Sequence, residues 1–265
     1  MSAAPHALVE RDGAILVVTM NRPEARNALS AEMLARMGDA WKLLDTDPDL
    51  RVGVLTGAGG TFCAGADLKA MSAGYAEDAW TARFKDDADL QWKALLRHAR
   101  PCKPIVAAVE GHAIAGGTEI LQGTDVRVAG ASATFGVAEV RRGLFPLGGS
   151  TVRLRRQIPY TLAAEILLTG RNVSAQEAKE IGLIGRVVSD GEALGEALRI
   201  AGQIAANGPL AVQAVLRSLR ETEGMCEAEA LQRELQIGLP IFATEDAREG
   251  PRAFKEKRPA VFKGR

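Results

Sequence analysis

Cysteine is scarce in this chain. Its three residues among 265, Cys63, Cys102 and Cys226, stand far apart, with no CxxC spacing and no accompanying histidine cluster. A metal site is set aside on that pattern, and a sparse, odd set fits free thiols in a reducing cytoplasm. Net charge is lacking too, since 33 Lys and Arg offset 33 Asp and Glu. A neutral chain is a poor general binder of nucleic acid or of a membrane surface. The apolar run Ile15-Leu16-Val17-Val18 is far too short to span a bilayer. The N-terminus carries neither a secretory apolar core nor an Arg-rich transit pattern. The expectation is therefore a cytoplasmic protein without membrane or nucleic-acid partners. No GxxxxGK[ST] occurs, and Gly57-Ala58-Gly59-Gly60 lacks the GxGxxG spacing and a ribose-holding acid. His6, His98 and His112 stand in no motif spacing with a Ser or Cys nucleophile.

What is present is a globular composition, 47% hydrophobic and 25% charged, long enough for one large domain or a core with an appendage. Strand patterns over Ala7 to Glu10 and Ala14 to Met20, joined at Asp12-Gly13, predict a hairpin. Ser30 caps a helix expected from Ala31 to about Asp45, with Met33, Leu34, Met37, Trp41 and Leu44 on one face. Further strands are expected at Val52–Thr56, Pro104–Val109 and Asp125–Ala129, and helix across residues 70–100. Ser174-Ala175-Gln176-Glu177 has the capping-box pattern and opens a helix ending near Gly182. Beyond residue 191 nearly everything reads as helix, broken at Asn207-Gly208-Pro209, Glu223-Gly224 and Leu239-Pro240. The plan is a mixed α/β core over 1–195 and a helical C-terminal part over 196–265.

Two glutamates stand in unusual company. Glu119 follows Ala115-Gly116-Gly117-Thr118, and Glu139 follows Phe135-Gly136-Val137-Ala138. A carboxylate among small and apolar residues must reach water or hold a partnered post. Two of them suggest a proton donor and a proton acceptor, although a lone Glu is most often a helix-surface acid. Strand Val52–Thr56 leads to Cys63-Ala64-Gly65-Ala66-Asp67-Leu68, and strand Ile105–Val109 to Ala115-Gly116-Gly117-Thr118-Glu119, a weak internal echo. Such glycine turns can offer backbone N–H groups to a developing oxyanion, although glycine content alone is satisfied by plain tight turns.

Lys103-Pro104-Ile105-Val106-Ala107-Ala108-Val109-Glu110-Gly111, the Gly116–Glu119 turn and the Phe135–Glu139 segment resemble the crotonase (enoyl-CoA hydratase/isomerase) superfamily. So do Asn21-Arg22-Pro23 with Asn27-Ala28-Leu29, Phe62 to Leu68, Leu168-Thr169-Gly170 and Arg248-Glu249-Gly250. The resemblance runs from about residue 8 onward and is strongest to actinobacterial hydratases, including a branch tied to steroid side-chain degradation. It implies a spiral of ββα units, a helical trimerisation region, homotrimers often paired as hexamers, and an acyl-CoA substrate with no further cofactor. It assigns the oxyanion hole to the N–H groups of Ala66 and Gly116, and the water-handling acids to Glu119 and Glu139; the donor needs a raised pKa, and that role is placed on Glu139. CoA and substrate contacts would fall at Glu24, Arg26, Ala28, Ala64, Asp67 and Leu68, while Phe254 and Lys257 would reach a neighbouring subunit's ligand. Other acyl-CoA dehydratases and isomerases, and RNA-binding relatives, share the scaffold; the intact acid pair weighs against a one-acid isomerase and, with the neutral charge, against an RNA binder, while a dehydratase is the same chemistry run backwards.

Two departures stand out. Ala115 replaces a frequent Gly, which looks mild because the inferred donor is the next residue. Leu147, in Pro146-Leu147-Gly148-Gly149-Ser150, occupies a Gly position beside the water site and is expected to narrow it or alter the loop. Tyr75, Trp80 and Phe84 are placed along the acyl tunnel, a stripe that plain packing also explains.

Overall fold

The computed structural model describes residues 4–74 and 76–265. The expected hairpin is present as β1 (Ala7–Asp12) and β2 (Ile15–Met20), antiparallel, with Gly13 taking the positive φ that the tight turn needs. α1 (Ala31–Thr46) starts where Ser30 accepts the Met33 N–H, and it buries Met33, Met37, Trp41 and Leu44, with Leu34 partly covered. β3 (Val52–Gly57) then pairs parallel with β2.

The helix expected over 70–100 is instead three short pieces, α2 (Leu68–Ala73), α3 (Ala79–Asp86) and α4 (Leu90–Ala94). Each has its own acid just ahead of it. Asp67 and Asp78 accept backbone N–H groups at the starts of α2 and α3, so the chain breaks at its caps. Trp80 and Phe84 lie on α3, and Tyr75 is outside the described residues.

β4 (Ile105–Val109) continues the large sheet and β5 (His112–Ile114) begins a small one. α5 (Gly116–Leu121) follows at once, then β6 (Val126–Gly130) and β7 (Thr134–Gly136). α6 (Ser150–Gln157), α7 (Tyr160–Thr169), β8 (Asn172–Ser174), α8 (Ala175–Glu180) and β9 (Arg186–Val188) complete the core. Only half of the Ser174 capping box forms. Ser174 accepts the Glu177 N–H, but the Glu177 carboxylate pairs with Arg171.

The large sheet has the order β1-β2-β3-β4-β6-β9, parallel beyond the hairpin, and the small one β5-β7-β8. Its central strands are buried on both faces, as parallel strands covered by helices must be. In β4, Ile105, Ala107 and Val109 face the α1 side, and Val106 and Ala108 face the other. That second face is covered by α9 (Ala193–Ala205) through Ala193, Ala197, Ile200 and Ala201. The expected division near residue 195 thus falls inside a helix that packs on the sheet. Beyond it come α10 (Pro209–Glu221), α11 (Glu227–Gly238) and α12 (Glu245–Glu256), the helical run that the sequence predicts. Arg220 fastens α10 to the core by donating to Pro101 O and the Asp125 carboxylate. Among the described residues no helix is long and apolar enough to cross a membrane.

Candidate active site

The site grows out of two turns that the fold lays side by side. Cys63 and Ala113 form an isolated parallel bridge, with Cys63 N–H donating to His112 O and Ile114 N–H to Cys63 O. The chains then turn together into Ala66 and Gly116. The approach is closest at Gly65, where an added Cβ would lie 2.8 Å from the Ala115 Cβ and 3.2 Å from Gly116 N. Gly117 is as constrained, its added Cβ meeting Cys63 backbone and side chain at 3.1 Å. Among the described residues neither the Ala66 nor the Gly116 N–H donates a hydrogen bond. Two free, adjacent backbone donors can hold negative charge developing on one oxygen. Cys63 beneath them is buried and its thiol is pushed up to about 12 by desolvation, so it is inert.

Ala115 is strained where a glycine would not be. Its φ of 52° and ψ of −123° belong to glycine's territory, and a Cβ there costs ~1–3 kcal/mol. The peptide following it carries the Gly116 N–H, and a glycine can hold the same angles without the strain. Ala115→Gly should raise stability by ~1 kcal/mol after glycine's larger unfolded-state entropy is counted, a Tm gain of ~2–4 °C, with turnover unchanged. Calorimetry giving a lower Tm would contradict this.

Glu119 lies one turn further along α5 and is 4% exposed. Its Oε1 accepts the Ser150 N–H (3.2 Å) at the start of α6, and the Gly148 and Gly149 N–H groups lie near enough to favour the ionised carboxylate. Gly148 packs so closely that an added Cβ would meet Glu119 Cδ at 2.6 Å. Burial raises the Glu119 pKa, and these N–H groups pull it back. Glu139 opens a 3-10 turn, Glu139–Arg142, shortly after β7. It is half-buried, and its Oε2 has no hydrogen-bond partner although that atom is out of solvent. Desolvation first, and the Glu119 charge second, push it up to about 7. The two acids are thus brought together in unlike surroundings, one anchored by N–H donors and one free to move a proton.

Other expected positions separate into two groups. Arg26, Ala28, Ala64 and Leu68 lie along the edge that carries the Ala66 turn, with Ala64 N–H donating to Arg26 O and Leu29 bridging Ala66. Glu24 is largely exposed beside Arg22 (3.9 Å). Asp67 is already engaged: it caps α2 through the Ala70 N–H and pairs with Arg22 at 3.1 Å, which lowers its pKa. In the internal echo, then, one acid holds a helix end and the other faces the site. Leu147 has an exposed side chain, and its carbonyl accepts Arg97 Nε. Phe254, on α12, is 88% exposed, and Lys257 ends that helix in a left-handed conformation; the chain's own fold does not bring either to the acids.

The sequence signature around Asn21-Arg22-Pro23 hid two organising side chains. Asn27 is fully buried, donates through Nδ2 to Ala58 O and Thr61 O, and accepts the Arg22 N–H. Arg22 in turn donates to Ala28 O and Asp67. Together they fix the loop that carries the Ala66 donor, and the close Asn pair around the prolyl turn was the only signal.

A family model described as enoyl-CoA hydratase/isomerase matches residues 10–265. The chain belongs to the enoyl-CoA hydratase/isomerase family. It is 59% identical to the enoyl-CoA hydratase EchA19 of Mycobacterium tuberculosis, over 100% of this chain and 99% of that protein. A 2,3-dehydroadipyl-CoA hydratase of Escherichia coli is 37% identical over 97% and 98% of the two chains. Among solved structures, the enoyl-CoA hydratase EchA1 of Mycobacterium marinum superposes with a TM-score of 0.90 at 42% identity, covering 99% of this chain and 100% of that one. The mixed α/β core with its helical C-terminal run is the crotonase fold of this enoyl-CoA hydratase/isomerase family.

Proposed function

We propose that this family member is an enoyl-CoA hydratase, adding water syn across the C2–C3 double bond of a trans-2-enoyl-CoA to give a 3-hydroxyacyl-CoA. The observation that carries this is the unlike acid pair, with Glu139 at about 7 and bearing an unpartnered buried oxygen beside an anchored Glu119. A water between them loses a proton to ionised Glu119 as its oxygen attacks C3. Electron density moves onto the thioester oxygen, where the Ala66 and Gly116 N–H groups receive it, each donor contributing ~2.7–4 kcal/mol in comparable sites. Protonated Glu139 delivers its proton to C2 on the same face. The proton on Glu119 returns to Glu139 through the next water, so the cycle closes with one water consumed. CoA is part of the substrate and no further cofactor enters these steps.

Glu24, Arg26, Ala28, Ala64 and Leu68 suit the adenine and pantetheine of CoA, lying along the edge that leads to the oxyanion turns. Asp67 serves that edge through Arg22 and α2, and Leu147 lies on the loop over the acids. The exposed Phe254 and Lys257 would complete a neighbouring site in a homotrimer or hexamer, working in the cytoplasm. The substrate is a fatty or sterol side-chain acyl group. A light-scattering mass corresponding to a monomer would remove those two residues from the site.

Loss of enoyl-thioester absorbance, followed with crotonyl-CoA, a medium-chain enoyl-CoA and a steroid enoyl-CoA, tests the reaction. At least one should be hydrated; if none reacts, the proposal fails. Hydration needs protonated Glu139, so its kcat should fall as pH rises through about 7. Dehydration of the 3-hydroxyacyl-CoA draws on the same singly protonated pair, with the proton on Glu119 instead, so it should fall over the same range. A hydration kcat that stays level through that range would contradict the donor assignment.

A further inference from the structure

The peptide plane between Leu147 and Gly148 is held from both ends. On one side the Leu147 carbonyl accepts Arg97 Nε at 2.6 Å. On the other, Gly148 packs directly against the Glu119 carboxylate, where an added Cβ would meet Cδ at 2.6 Å, and its N–H lies near enough to lower that acid's pKa. Carbonyl and N–H of one planar trans peptide point in opposite directions, so whatever fixes the carbonyl also aims the N–H. The Arg97 guanidinium is itself well held. It lies 5.1 Å from the Trp92 ring centroid, and its Nη1 meets His98 Nε2, while His98 Nδ1 faces Asp89 Oδ1 at 3.1 Å. The fastening is reciprocal. Arg153, in the first turn of α6, donates Nη2 back to Leu96 O (2.6 Å) and Arg97 O (2.9 Å). Leu96 takes a left-handed φ of 54° here, which turns these carbonyls toward α6. Two arginines therefore tie the 96–97 corner to both ends of the segment that embraces Glu119, with Gly148 and Ser150 between the ties.

We propose that Arg97 is a positioning residue for the acid pair, acting through the Leu147–Gly148 peptide and resting on the hydratase reading above. Its cationic charge also polarises that peptide, strengthening the N–H offered to Glu119. Without it the plane can rotate, the Glu119 carboxylate loses a fixed partner, and the water it orients is misplaced. Misplacement of about an ångström by a residue away from the chemistry can cost ~10²-fold in rate. The CoA-facing edge at residues 24–28 and 64–68 is untouched, so affinity should hold.

Arg97→Ala should lower kcat by ~10–100-fold with KM little changed. Arg97→Lys, whose ammonium still donates to the Leu147 carbonyl, should recover most of the loss. Arg97→Met keeps the apolar stem over Trp92 and should behave as the Ala variant does, which guards against lost packing as the cause. Amide hydrogen exchange, read by mass spectrometry on the same proteins, should quicken in residues 146–151 and nowhere else. Wild-type kcat and exchange in the Ala and Met variants would overturn the proposal, as would a raised KM at unchanged kcat. If the wild type hydrates no enoyl-CoA, the hydratase reading fails by itself and the exchange pattern alone decides the clamp.

Discussion

Glu119→Gln and Glu139→Gln should each lower hydration kcat by ~10²–10⁴-fold, the usual contribution of a positioned acid or base, with KM little changed. Gln keeps the volume and removes the titrating proton, so the oxyanion donors at Ala66 and Gly116 and the CoA edge stay as they are. The two variants separate in stability. Glu139 is raised to about 7 from the ordinary 4.5, so between those values the folded protein holds a proton that the unfolded chain has released. Rising pH through that window therefore removes stability from the wild type, and above about 7 the full penalty is present. Glu139→Gln carries no such penalty and should be the more thermostable protein at pH 8, with the difference vanishing near pH 4.5. In Glu119→Gln the amide NH₂ cannot accept the Ser150, Gly148 and Gly149 N–H groups, so that variant gains less. Thermal melts and initial rates across pH 4.5 to 8 check both. A Gln variant with wild-type turnover would remove that acid from the mechanism.

Gly148→Ala should be nearly as damaging to turnover, at ~10²-fold in kcat, although the residue bears no chemistry. Its new methyl would lie 2.6 Å from Glu119 Cδ and 2.9 Å from Glu119 Cβ, distances that real Cβ atoms do not adopt. Two responses are open. The carboxylate moves, leaving the Ser150 N–H, or the loop backs away and takes the Gly148 and Ser150 N–H groups with it. Either way Glu119 loses its anchored geometry while the rest of the fold is undisturbed, so CoA affinity by calorimetry should persist as kcat falls. Unchanged kcat would show that the loop tolerates a side chain there, and that its close approach does not set the position of Glu119.

Much of the scaffold was legible because it repeats over several residues. Ser30 with the Met33, Met37, Trp41 and Leu44 spacing specified α1, and the apolar runs at 52–56 and 104–109 specified the central strands. The small sheet was not legible. His112–Ile114, Thr134–Gly136 and Asn172–Ser174 are three residues each, too short for any periodicity, and they exist only through pairing across the chain. Glu119, Glu139, Ala66 and Gly116 were singled out through resemblance, whereas the residues packed around them were not. Arg97 reaches Leu147 fifty residues away, and Asn27 reaches Thr61 thirty-four away, contacts that leave no local pattern. The strain at Ala115 was hidden for a related reason. Its strain resides in backbone angles that only the folded turn imposes.

The Cys63–Ala113 bridge has a consequence for length as well as shape. Ala66 and Gly116 each stand three residues beyond it, so this one bridge sets the register in which the two turns face each other. The pairing of two strands thus acts as a gauge for where both N–H groups fall. Inserting or deleting a single residue in either turn would slide one donor along its strand and spoil the gauge without removing a single functional group.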